Sequence, residues 1–174
     1  MQAMFGAAAL SAFKTSKLLD ILQAKLPQVK AISARFVHFI DCDGNLSENE
    51  NARLRSLLDY GSDFQAQDSA ATDATQLSRL VVPRPGTISP WSSKATDILH
   101  NCGLVDIKRI ERGTLFTISA VSDLFAEDAD VLATLGHDRM TQAVFNEIEG
   151  AGVLFQSAVP KPSQSVDIMQ HGEA

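Results

Sequence analysis

Apolar residues near the start of the chain recur at helical spacing. Leu10, Phe13, Leu18, Ile21 and Leu22 fall on one face, with Lys14, Lys17 and Asp20 elsewhere. This predicts an amphipathic helix from Leu10, preceded by a short strand and closed by Pro27. The next segment, VKAISARFVHFID, alternates instead. Phe36 and Ile40 point one way, and Val37 and Phe39 the other. Apolar residues on both faces predict a strand near the centre of a sheet. DCDGN is turn chemistry, and SENENARLRSLLDYG reads as a second helix. In it Ser47 is the N-cap, Glu50 completes a capping box, Leu54, Leu57 and Leu58 form the buried stripe, and Gly61 suits the left-handed C-terminal position.

Residues 62–75 are polar and Ala-rich without period, as in a surface loop. A strand is expected over Leu77–Val82. VDIKRIERGTLFTISA reads as two strands joined by a tight turn at Glu111–Gly113. AEDADVLATLG and HDRMTQAVFNEI read as helices, the second with Met140, Val144 and Ile148 inward. From Gln156 the chain has two prolines and little to bury, which suggests a linker. The expected division is therefore a domain over residues 1–155 and the start of a linker over 156–174. The order predicts an α+β fold, an antiparallel sheet with helices packed on one face. Both halves follow a strand–helix–strand theme, without evident residue-level identity.

Composition narrows the classes. In 174 residues, 45% are hydrophobic and 21% charged, an ordinary globular balance with enough chain for one real core. The net charge of −6 disfavours nucleic acid or an anionic membrane as partner. Cys42 and Cys102, far apart and outside any CxxC pattern, imply neither a disulfide framework nor a zinc site, and fit a reducing cytoplasm. The opening MQAMFGAAALSAFK lacks a basic residue before Lys14, which argues against an export signal. No apolar run approaches the ~20 residues needed to span a bilayer.

Catalytic motifs are absent. DCDGNLSENE imitates a calcium loop, but Gly44 stands where position four falls and Ala52 replaces the glutamate of position twelve. A strand-to-helix turn explains it better. His38, mid-strand, and His137, at a predicted helix start, lack a neighbouring acid or thiol in sequence and read as structural. Cys102, at a helix C-terminus, is poorly placed for a low thiol pKa. RGTLF reads as a hairpin turn, and no GxGxxG, Walker loop, HExxH or GxSxG occurs.

The densest segment is PRPGTISPWSSKATDILHNCG, which holds the only Trp. Pro83, Pro85 and Gly86 stiffen an entry, Ser89 is an N-cap and Pro90 fits the first helical position. Trp91, Ala95, Ile98, Leu99 and Cys102 follow helical spacing and should pack on the sheet, and Gly103 ends the helix. The polar side is less explained. Ser93, Lys94, Asp97, His100 and Asn101 occupy it, with Ser92, Thr87 and Arg84 near its start. A solvated helix face, a docking surface and an anion site all fit these residues. The anion site lacks the glycines that let backbone amides cradle a phosphate.

RPGTISPWSSKATDI followed by HNCGL resembles the N-terminal signature of the large form of phosphoribosylformylglycinamidine synthase. ALSAFK, FVHF, ERG, HDRMT and SVD match in order along the chain. The resemblance implies the N-terminal domain, with the beginning of a linker, of a longer amidotransferase. That enzyme converts formylglycinamide ribonucleotide, glutamine, ATP and water to formylglycinamidine ribonucleotide, glutamate, ADP and phosphate. Its ATP and magnesium sites, and its Cys–His–Glu glutaminase triad, belong to regions outside this chain. The resemblance thus implies no catalytic residue, cofactor site or metal site here. Partners would be the synthetase and glutaminase domains of the same polypeptide, in the cytoplasm. It further implies a likeness to a fused dimer of the small auxiliary subunit that other organisms make separately, with a role in assembly. Arg84, Thr87, Ser92, Ser93, Lys94, Asp97, His100 and Asn101 are then candidates to face the missing domains. The competing expectation is a free-standing regulatory module that binds a small ligand, such as a purine nucleotide, at Arg84–Lys94. An enzyme complete in this chain is a third, disfavoured by the missing regions.

Overall fold

The structure, a computed structural model, describes residues 1–61, 63–64, 75–121, 137–156 and 162. In these the order is β1 (Gln2–Ala8), α1 (Ala12–Lys25), β2 (Val29–Cys42), α2 (Glu48–Leu58), β3 (Thr75–Pro83), α3 (Pro90–Asn101), β4 (Ile107–Ala120), β5 (Gln142–Phe145) and a 3-10 segment (Glu149–Phe155). The strands form one five-stranded sheet, ordered β1-β2-β4-β3-β5, with every pairing antiparallel. The fold is α+β, as the order of elements predicts.

Strand alternation sorts the core. Ile32, Ala34 and Ile40 of β2 stand opposite Ile118, Phe116 and Ile110 of β4. That face packs on Leu22 of α1 at one end, and on Leu54 of α2 and Leu99 of α3 at the other. Val37 and Phe39 point to the opposite face, where Leu80, Val82, Ala151 and Leu154 bury them. The three helices thus share one face, and the 3-10 segment covers part of the other. Apolar residues on both faces of β2 are needed because both faces are covered.

Helix starts agree with their caps. Ser11, Ser47 and Ser89 each accept a hydrogen bond from the backbone amide three residues on, and Ser47 and Glu50 complete a capping box. The α1 stripe is narrower than its spacing suggests. Leu22 is buried, but Phe13 is 76% exposed and Ile21 39% exposed. Only the side toward Ile32 and Ile118 meets the sheet. In α3, Ile98 likewise faces outward at 46% exposure, whereas Leu99 is buried.

Two expectations are corrected. Residues 107–120 form one continuous strand, without a turn at Glu111–Gly113. Gly113 is buried and pairs with Val37. A Cβ there would lie 2.9 Å from the Val81 carbonyl oxygen and 3.1 Å from Phe39 Cε2. The glycine permits close strand approach rather than chain reversal. The segment HDRMTQAVFNEI is not a helix either. Asp138 accepts hydrogen bonds from the Met140 amide and the Thr141 hydroxyl, which makes a turn. These bonds, and to a lesser degree the nearby His137, hold the Asp138 carboxyl below its ordinary pKa. Residues Gln142–Phe145 then pair with the β3 edge, and Met140 is 78% exposed. His137 therefore precedes a turn, not a helix. AEDADVLATLG, most of the 62–75 loop and the expected linker after Gln156 lie outside the described residues.

Helices α1 and α3 share a residue pattern. TSKLLDIL of α1 (Thr15–Leu22) and SSKATDIL of α3 (Ser92–Leu99) agree at Ser, Lys, Asp, Ile and Leu. Each helix leads into a 14-residue strand, β2 or β4, and these two pair with each other at the middle of the sheet.

Candidate functional site

The helix α3 is fixed at its start by a buried ion pair. Glu111 of β4 is fully buried and pairs with Arg109. Its carboxylate accepts from the Ser89 amide (3.2 Å) and the Ser89 hydroxyl (2.7 Å). Arg109 Nη2 donates to the Thr87 carbonyl at 2.6 Å, and Nη1 to the Leu154 carbonyl at 3.0 Å. One guanidinium thus ties the entry loop, the α3 cap and the 3-10 segment to β4. At the far end, Gly103 has φ +82°, the left-handed C-terminal position, and Arg53 of α2 donates to the Cys102 carbonyl at 2.9 Å.

The sequence-predicted residues divide under this geometry. Ser93, Lys94, Asp97 and Asn101 are exposed, and none of their side chains is hydrogen-bonded or ion-paired within the described residues. His100 is exposed yet engaged, with Nε2 2.6 Å from the Ile107 carbonyl oxygen. Thr87 is also internal in its bonding, since its hydroxyl donates to the Arg84 carbonyl at 2.6 Å. The Arg84 side chain is exposed, and its backbone amide donates to the Thr141 carbonyl. Ser92 departs from the set. It is fully buried, and its amide donates to the Ser89 hydroxyl, so it faces inward rather than toward any partner. One turn of helix places it beneath the cap.

Sequence reasoning missed a second cluster. His38 is fully buried, with Nε2 2.6 Å from the Tyr60 hydroxyl. Burial, then the nearby Arg112 charge, lowers its pKa from 6.5 to about 4, partly offset by the Met4 backbone, so it is neutral at physiological pH. Arg112 Nη1 donates to the same hydroxyl at 3.2 Å. Its guanidinium carbon lies 4.3 Å from the Phe36 ring centroid and 4.7 Å from that of Trp91. Pairing across β2 and β4 sets His38 beside Arg112, and Tyr60, after α2, and Trp91, in α3, reach them from outside the sheet. The cluster borders a pocket of about 350 Å³ between α2 and α3, lined by Leu57, Tyr60, Trp91, Lys94, Ile98 and Arg112 among others.

Among the described residues, no group of three or more His, Cys, Asp or Glu side chains is placed to hold a metal. Asp43 of the calcium-like turn pairs with Lys108, and Cys42 Sγ contacts the Gly44 carbonyl. No helix there is long and apolar enough to cross a membrane.

The family model for the formylglycinamide ribonucleotide amidotransferase N-terminal region matches residues 35–155. That span runs from the middle of β2 to the end of the 3-10 segment and takes in α3, its capping ion pair and the Arg112 cluster. The match, together with the α+β sheet that carries it, shows that this chain belongs to the formylglycinamide ribonucleotide amidotransferase N-terminal family, a domain of the purine-biosynthetic phosphoribosylformylglycinamidine synthase.

Proposed function

We propose that this chain is an assembly domain. In this reading it packs on the synthetase region of its enzyme and helps couple that region to the glutaminase. The reaction would be the glutamine- and ATP-dependent conversion of formylglycinamide ribonucleotide to formylglycinamidine ribonucleotide in the cytoplasm. ATP, magnesium and the glutaminase triad would belong to other regions, and the boundary between this domain and a linker would fall near Phe155, where the family match ends. One observation carries the reading. Inside the matched span, the exposed Ser93, Lys94 and Asp97 side chains have no partner among the described residues, while the polar groups around them are consumed in caps and clamps. Exposed polar side chains that the fold leaves unengaged are available to pair with a partner at the polar rim of an interface.

The sheet order also supports descent from two fused copies of a small auxiliary subunit. β2 and β4 pair centrally, β1 and β3 flank them, and α1 and α3 carry the matching TSKLLDIL and SSKATDIL segments.

The test is substitution of Lys94, Asp97 and His100 in the complete enzyme. Fewer products formed per glutamine hydrolysed, with thermal unfolding unchanged for the Lys94 and Asp97 variants, is the expected result. Unaltered synthesis and coupling would sink the proposal. The His100 variant also loses the contact to the Ile107 carbonyl, so its folding is measured separately.

A further inference from the structure

The pocket between α2 and α3 has a lining that selects a ligand. Its volume, about 350 Å³, lies within the range of small-molecule sites. Leu57, Ala95 and Ile98 make aliphatic walls, and Trp91 and Tyr60 supply aromatic ones. The two charged residues that line it, Lys94 and Arg112, are both cationic. Neither makes an ion pair with a described residue, although the chain as a whole carries a net charge of −6. A positive end inside an apolar slot on an acidic protein is a local inversion of charge.

Arg112 is also held in place before any ligand arrives. Its guanidinium lies against Phe36 and Trp91, and one Nη donates to the Tyr60 hydroxyl. That hydroxyl is fixed in turn by buried His38. A guanidinium fixed by rings and one hydrogen bond loses little further freedom when it binds a planar anion. Its fork geometry matches a carboxylate in a bidentate pair.

We propose that the α2–α3 pocket binds a small carboxylate carried on a short apolar or aromatic body. Arg112 holds the carboxylate, Lys94 adds charge at the rim, and the Leu57–Ile98 walls take the body. The two readings share Lys94, which lies at the rim of this pocket and on the proposed docking face, so ligand binding is tested on this chain by itself, where docking plays no part.

The probe is 4-phenylbutyrate, titrated into the 174-residue chain and followed by the Trp91 indole resonance in two-dimensional NMR. A saturable shift with a midpoint of about 1–10 mM is expected for a ligand of this size. Arg112→Gln should weaken binding by about tenfold or more, the loss of a charge-assisted bidentate contact. Because Arg112→Gln disturbs a packed cluster, Lys94→Gln, at an exposed position, serves as the second variant and should weaken binding by a smaller factor. Two further probes separate the chemistry. 4-Phenylbutanol, which keeps the body and lacks the charge, should bind at least about tenfold more weakly. Inorganic phosphate should leave the indole resonance in place. The proposal is overturned if phenylbutyrate gives no saturable shift, if the alcohol or phosphate binds as well, or if both folded variants bind like the wild type.

Discussion

At the residue scale, His38 shows how a position acquires chemistry from its surroundings. Its sequence neighbours offer no partner, yet the fold buries it between Tyr60, Trp91 and Gly6. A Cβ at Gly6 would lie 2.6 Å from His38 Cε1, so the glycine makes room for the ring. The folded pKa of about 4 lies below the ordinary 6.5, so between these values the unfolded chain holds a proton that the folded one does not. The stabilisation is therefore complete above pH 6.5 and is lost as pH falls toward 4, by an amount on the order of 3 kcal/mol. Urea titrations at pH 7 and 4.5 should show this loss in the wild type and a smaller one in His38→Gln. A His38 ring resonance that titrates near 6.5 would contradict it. No part of this was legible in the sequence, because Tyr60 and Arg112 reach His38 only across strands and a loop.

At the scale of elements, local signals performed well where they were local. The Ser47 and Ser89 caps, the capping box and the stop at Gly103 stand where the residues place them, whereas α1, expected from Leu10, begins after a cap at Ser11. The failures share one cause: tertiary pairing overrode a local preference. ERG has turn composition, yet β4 runs through it because β2 pairs with it residue by residue, and β3 joins on the other side from Thr114 onward. Gly113→Ala should then act by crowding the Val81 carbonyl rather than by altering a turn, at a cost of about 1–3 kcal/mol. The urea midpoint reads this directly, and a neutral substitution would mean that the strands can separate to admit the methyl group. In the same way QAVF, inside an apparently helical pattern, becomes a strand because the β3 edge is free to pair with it. A short apolar run carries either reading, and only the neighbour decides.

At the scale of the whole molecule, the Arg109–Glu111 pair joins pieces that are remote in sequence. It links the α3 cap, the entry loop and the segment that ends at Phe155. Removing one member of a buried pair leaves an uncompensated charge, so Glu111→Gln should cost about 3 kcal/mol or more. Hydrogen exchange should also accelerate over Glu149–Phe155 and at the first turn of α3. Exchange that stays slow in both places would show that the pair clamps neither. This clamp orients the helix whose exposed Lys94 and Asp97 carry the proposed docking face, and so connects fold to function. The sequence by itself determined the α+β class, the three helices and the caps of two of them, β2 and β3, and the long motif that resembles the family. These depend on spacing, capping and turn chemistry within a few residues. Only the tertiary structure decided that β4 is one strand and that Ser92 faces inward. It alone brought Tyr60, Trp91 and Arg112 around one pocket, with buried His38 behind them. Those outcomes depend on which strands pair and which faces they bury, and strand pairing is a long-range choice that no local window of the chain contains.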